Sequence, residues 1–207
     1  GQTGALRVLS QDLSPNVRTA AIQLLAAQDS ESIDELLVSQ LSVEDPQLLM
    51  IAARLLENSP LGPQIASATL LAFERVSASQ RETTRDARRA LLARVEEFGD
   101  AAMISRLEPF LLDFDPQVAM DVARILEHWS GQSRQPNPEP LPRTDLPNPT
   151  ELNELRRSTV ILHMQRGGEI VIRPLPNVAL TNVQRFVQLA HDGYFDGLTF
   201  HRWEPNF

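Results

Sequence analysis

The chain of 207 residues has no cysteine, which excludes disulfides, thiolate metal sites and a cysteine nucleophile and leaves the redox compartment open. It has no lysine either; all 19 basic residues are arginine, a bias read as codon usage and not as a binding signal. No apolar run approaches the ~20 residues that a membrane-spanning helix needs. No basic-then-apolar leader precedes the first helical pattern, so a targeting signal is expected upstream of Gly1 if there is one. The compartment stays open between cytoplasm and periplasm. There is no glycine-rich phosphate loop and no G-x-S-x-G elbow. His128, His163 and His191 sit singly in unrelated segments. No metal site and no cofactor are therefore expected. The acid pairs Asp34-Glu35 and Glu96-Glu97 read as solvated helix faces.

What is present is an ordinary globular composition, 42% hydrophobic and 22% charged, enough for one large or two small domains. The net charge of −8 falls on one part of the chain. Residues 1–131 carry 11 arginines against 19 acids, while residues 132–207 balance 8 against 8. An acidic front part argues against nucleic acid as its partner, because binding there depends on neutralising phosphates.

The front part is periodic. Ser14-Pro15, Asp45-Pro46 and Asp115-Pro116 each precede a helical pattern, and a fourth start near Arg81 divides the longest interval into two. Two residues past the starts stand Val17, Leu48, Thr83 and Val118; six past, Ala21, Ala52, Ala87 and Val122; ten past, Leu25, Leu56, Leu91 and Leu126. Ser14, Asp45 and Asp115 can cap free helix amides, and proline at the first helical position loses no hydrogen bond. Partner helices are expected at Thr3–Gln11, Ile33–Leu41, Gln64–Val76 and Ala101–Asp113, each with apolar residues three and four apart. Helix pairs of this length with D-P-x-[VL] opening the second helix resemble HEAT repeats. The resemblance implies an α-α solenoid of about four pairs over residues 1–131, since a two-helix unit cannot bury its own faces. It also implies either a protein partner on one face or a plain spacer. Arg81, Arg85, Arg88, Arg89 and Arg94 form the one candidate basic patch. It is expected to be a solvated face paired with Glu82, Asp86, Glu96 and Glu97.

Six prolines between Gly131 and Pro149 remove amide donors and hold the backbone extended, so residues 132–157 read as a semi-rigid linker. A proline-rich ligand for an aromatic groove is the rarer alternative. Leu152 and Leu155 offer a short helical lead-in. From Ser158 the period becomes two: Val160, Leu162 and Met164 alternate with Ile161, His163 and Gln165. Gly167-Gly168 predicts a turn and Glu169–Arg173 a return strand. A helix starting at Thr181 or Asn182 would present Val183, Phe186, Val187 and Ala190 on one face, and a third strand would follow over Leu198–Trp203.

The last stretch reads GYFDGLTFHRWEPNF, with Phe200-His201-Arg202 followed by Pro205 and Phe207. With the residues from Thr159 onward, it resembles the opening of cyclophilin-type peptidyl-prolyl cis-trans isomerases, whose motif runs G-[YF]-Y-D-G-x-x-F-H-R-x-x-P-x-F and then x-x-Q-G-G-D. The likeness covers about the last 50 of 207 residues. Trp203 and Glu204 depart from it, standing where the family carries small aliphatic residues. The resemblance implies that residues 158–207 are the N-terminal portion of a β-barrel, with proline-containing polypeptides as clients and no cofactor. It makes Arg202 the catalytic donor, Phe207 part of the wall that holds the proline ring, and His201 structural. With the Gln-Gly-Gly segment and the later strands missing, these 207 residues are expected to be inactive alone. The competing expectation is a non-catalytic HEAT-repeat scaffold with a degenerate cyclophilin domain.

Overall fold

The computed structural model describes residues 2–28, 33–142 and 145–200. The chain divides into two units, Gly1–Leu141 and Pro142–Phe207. The first is helical: α1 (Gln2–Leu9), α2 (Pro15–Gln28), α3 (Asp34–Gln40), α4 (Pro46–Leu55), α5 (Pro63–Ala78), α6 (Arg85–Phe98), α7 (Ile104–Leu107) and α8 (Pro116–Ser130), with 3-10 turns at Glu82–Thr84, Ala101–Met103 and Glu108–Leu112.

The helix starts follow from local chemistry. Pro15, Pro46 and Pro116 occupy the first turns of α2, α4 and α8. Asp45 accepts the Leu48 amide at 2.8 Å, and Asp115 accepts the Gln117 amide at 2.9 Å. Both satisfy donors that the helix cannot. At the first junction Asp12 accepts the Ser14 amide at 2.8 Å. The third start differs from expectation. Instead of opening at Arg81, the chain takes a 3-10 turn and α6 begins at Arg85. Without an aspartate-proline pair nothing fixes the entry at Arg81, and Thr84 is the residue that turns inward; Thr83 is exposed. The expected fourth partner helix over Ala101–Asp113 is also broken, into two 3-10 turns around one α turn, with Pro109 inside the second. A proline there has no amide for an i−4 carbonyl.

The second helices form one packed row, α2 on α4, α4 on α6 and α6 on α8. Their seams are made by the periodic positions: Ala21, Ala52, Ala87 and Val122, and Leu25, Leu56, Leu91 and Leu126, are all buried. Small residues six past each start let the helices approach, and the leucines fill the space behind. Gly99 ends α6 because only hydrogen fits there. A Cβ would stand 2.5 Å from the Val95 carbonyl oxygen and 3.1 Å from the Trp129 ring.

Charge fastens successive helices as well. Arg75 of α5 donates to the carbonyls of Leu41 and Val43 at 2.7 and 2.9 Å, covering acceptors left free where α3 ends. Arg106 pairs with Glu74 across α7 and α5. The first ten residues after Gly131 stay with this unit: Asn137 and Glu139 donate backbone amides to the carbonyls of Leu111 and Leu112 at 2.8 and 3.1 Å.

The second unit holds α9 (Pro149–Arg157), β1 (Val160–His163), β2 (Glu169–Ile172) and α10 (Leu180–His191). Helix α9 is stronger than a lead-in. Asn148 accepts the amides of Thr150 and Glu151 while the Glu151 carboxylate accepts the Asn148 amide, a reciprocal capping box. Strands β1 and β2 pair antiparallel with Val160 opposite Ile172 and His163 opposite Glu169. Their turn is closed by the Gly167 amide on the Met164 carbonyl at 2.9 Å, and Gly167 and Gly168 both take positive φ just after it. Leu198–Phe200, expected to open a third strand, forms none. A strand exists only through ladder pairing with a neighbour, and the sheet among the described residues has two strands, β1 and β2.

Candidate functional site

The implied catalytic Arg202 and substrate-binding Phe207, together with His201, lie outside the described residues. The chain that leads to them is well defined. Helix α10 ends with Asp192 donating to Gln188, and the Tyr194 amide reaches back to the Leu189 carbonyl at 2.9 Å. Gly193 takes φ +71° at this point, the left-handed turn that commonly closes a helix. Two further turns follow, Asp196 onto Gly193 and Leu198 onto Phe195. Phe195 packs between Phe186 and Tyr194, with ring centroids 5.3 and 5.2 Å away. The sequence Tyr-Phe-Asp-Gly thus fixes the direction in which the chain leaves α10, using one aromatic anchor and two left-handed glycines.

Several apolar side chains of this unit stand in water. Val178, Phe200, Val171, Leu175 and Leu198 are all more than 60% exposed. Among the described residues of this unit, Leu155, Val160 and Val183, each at 9% exposure, and Pro174 and Pro176 are the buried ones. One side of a core is present here, with little packed upon it.

In the helical unit the arginines of α6 depart from the solvated-face expectation. Arg88 is fully buried, and its Nη1 donates to both oxygens of Asp113 at 2.7 Å. Its guanidinium also lies over the Phe114 ring, 4.5 Å from the centroid. Arg85 pairs with Asp115, and Arg89 with Asp121. Arg94 pairs with an expected acid of its own helix, Glu97, at 3.0 Å. Glu96 is taken by Arg124 and His128 from α8. The physical reason is packing: α6 lies on α8, so long arginine stems reach the acids that begin the next helix before they reach their own neighbours. Burial works against the charge on Asp115. The hydrogen bonds from Arg85 and the Gln117 amide, with the charges of Arg85 and Arg88, outweigh it and hold the carboxyl below its usual range. These groups are tied down in structural pairs. They do not form an open basic patch.

Among the described residues no cluster of three or more histidine, aspartate or glutamate side chains could hold a metal ion, and no helix is long and apolar enough to cross a membrane.

Comparison with known proteins bears on the second unit alone. Residues 159–207 match the family model described as cyclophilin type peptidyl-prolyl cis-trans isomerase/CLD. That match supports a cyclophilin-type isomerase domain at these residues. Similar curated proteins include those named "Putative peptidyl-prolyl cis-trans isomerase" from Staphylococcus aureus strains USA300, NCTC 8325 / PS 47 and COL. Each is 42% identical over 43 residues, which is 21% of this chain and 21% of the relative. The chain thus spans about a fifth of the length of the curated relatives it matches. No solved structure matches.

Proposed function

We propose that the protein is a cyclophilin-type peptidyl-prolyl cis-trans isomerase whose helical unit, a solenoid of HEAT repeats, binds or positions proline-containing polypeptides for the isomerase domain. The observation that carries the reading is the ordered agreement of residues 159–207 with the family, ending on Phe200-His201-Arg202 and Phe207. The exposed apolar side chains of the second unit, Phe200 among them, support it, because a closed barrel would bury such residues. The buried rows six and ten past each helix start support the solenoid.

The chemistry needs no nucleophile and no cofactor. Rotation about an X-Pro bond removes amide resonance across a barrier of about 18–20 kcal/mol. In the twisted amide the nitrogen regains its lone pair and becomes a hydrogen-bond acceptor. A donor aimed at that nitrogen favours the twisted form over the planar one, and so lowers the barrier. Arg202 has the required guanidinium, permanently charged and rigidly forked. Phe207 supplies an apolar wall that fixes the proline ring, so that the donor acts in one orientation.

The test is cis-trans exchange in a proline-containing peptide, measured by NMR with the full-length protein. Arg202→Ala should lower the rate about 100-fold or more, in line with loss of one transition-state donor. An unchanged rate would remove Arg202 from the role. The second reading, a non-catalytic scaffold, is favoured by Trp203 and Glu204. It predicts that the unaltered protein leaves the exchange rate at its uncatalysed value while still binding the peptide.

A further inference from the structure

The proline-rich stretch after α8 is not a free tether at its start. Residues 134–139 read Arg-Gln-Pro-Asn-Pro-Glu, and the prolines alternate with residues that retain an amide. In an extended chain alternate amides share one edge. Here the amides of Asn137 and Glu139 point together onto the carbonyls of Leu111 and Leu112, at 2.8 and 3.1 Å. Those carbonyls end the 3-10 turn Glu108–Leu112, where no further helical turn uses them. Pro136 and Pro138 are half-buried, while the side chains of Asn137 and Glu139 are exposed. The pairing therefore reads backbone spacing and proline rings, not the identity of the residues between. Arg134 anchors the upstream end, 3.7 Å from Glu108.

The groove is larger than this segment fills. Beside Glu139 the surface has an open hollow of about 290 Å³, bordered by Phe110, Leu112, Phe114, Ser77 and Glu74. A segment seated only to cap the turn would need no such adjoining space.

We infer that the turn Glu108–Leu112 and the adjoining hollow form a binding groove for an extended polypeptide in which an arginine precedes prolines at alternate positions. Residues 134–139 occupy it in cis and are displaced by such a segment from another chain. This deepens the reading of the helical unit as a polypeptide binder and is independent of Arg202. The specificity has a simple origin. Prolines hold the ligand extended before it binds, so little order is lost on binding, and besides the arginine head it has to place only the two amides that follow prolines.

The test uses the 207-residue protein and a fluorescent peptide with the sequence of residues 132–141, followed by anisotropy. A held cis segment competes at high effective concentration, so the unaltered protein should bind weakly. Asn137→Pro with Glu139→Pro keeps the chain extended but removes both donors. This variant should bind the peptide about ten-fold or more tightly. Should it fail to fold, Arg134→Glu releases the same segment without touching the backbone and carries the same expectation. In the Asn137→Pro, Glu139→Pro protein, which keeps Arg134, adding Glu108→Arg should reverse the gain, and a peptide with glutamate at the Arg134 position should restore it. Equal peptide affinity in the released and unaltered proteins, with only a loss of thermal stability, would show a permanent cap and overturn the inference. So would indifference to Glu108→Arg. If other polypeptides still bound the helical unit of Glu108→Arg unchanged, the general reading would stand and this groove would fall.

Discussion

The two units put similar amino acids to different use. In the first, Leu25, Leu48, Leu56, Leu91 and Leu126 are excluded from water, and even an arginine is fully buried against an aspartate. In the second, valines, leucines and a phenylalanine of the same hydrophobicity stand mostly exposed. The difference lies in where each fold finds its partners. A helix pair meets the next pair within about 30–35 residues, so its core closes locally. If the second unit is the opening of a barrel, as proposed above, its strands gain a covered face only when distant strands come round to them, the high-contact-order case. Apolar composition alone does not say which residues are core; topology does.

The sharpest way to break that contrast is at Arg88. Replacing it with methionine keeps most of the stem but leaves Asp113 buried without its counter-charge. Breaking one side of a buried pair costs about 3–5 kcal/mol, so urea unfolding of the helical unit should lose about that much. The exposed pair Arg89–Asp121 should respond to Arg89→Ala by less than about 1 kcal/mol. Equal losses at the two sites would mean that Arg88 is not in a dry interior.

Next in size is Gly99→Ala. The obstacle is the Val95 carbonyl at 2.5 Å, a backbone atom that cannot swing away. Overpacking of this kind costs about 1–3 kcal/mol, read as a lower midpoint for the helical unit. A neutral result would require the end of α6 to re-form without Trp129 in contact.

Acid should act on the same unit through Asp115. Its folded pKa is lowered, so the unfolded chain binds the proton more readily and stability rises with pH across the interval. The contribution is complete above the ordinary aspartate value of about 3.9 and disappears as pH falls through the lower folded value. Asp115→Asn keeps a capping side chain but removes the titration. Its stability should fall less steeply than that of the unaltered protein below about pH 4. Parallel curves would show that other carboxylates carry the acid response.

How far this contrast was legible in the sequence depends on how local each signal is. Asp45-Pro46 and Asp115-Pro116 state a helix start within two residues, and the starts of α4 and α8 follow from them. Near Arg81 no such pair exists, and only the residues six and ten further on kept their places. Helix α9 had its own local signal in Asn148-Pro149-Thr150-Glu151, a capping box hidden by the prolines around it. For the arginines of α6 the sequence shows the local pair Arg94–Glu97 but not the partners on other elements, because ion pairing ignores sequence distance. Arg88 and Asp113 are 25 positions apart, and only the packing of α6 on its neighbours brings them together. Arg202 and Phe207 were named from a motif, and their geometry lies beyond the described residues.

The smallest expected effect is the most informative about the second unit. Val171 sits in β2 at 64% exposure, paired across the hairpin with Ile161. Threonine keeps the branched shape that strands favour, so Val171→Thr tests burial and little else. With the side chain in water, stability of the 207-residue protein should change by no more than about 0.5 kcal/mol. In a longer chain whose further strands cover this face, the same change would put a hydroxyl into an apolar interior and cost about 1–3 kcal/mol. A large loss already in the 207-residue protein would mean that Val171 has a covering partner here, and that the two units are less different than their exposures state.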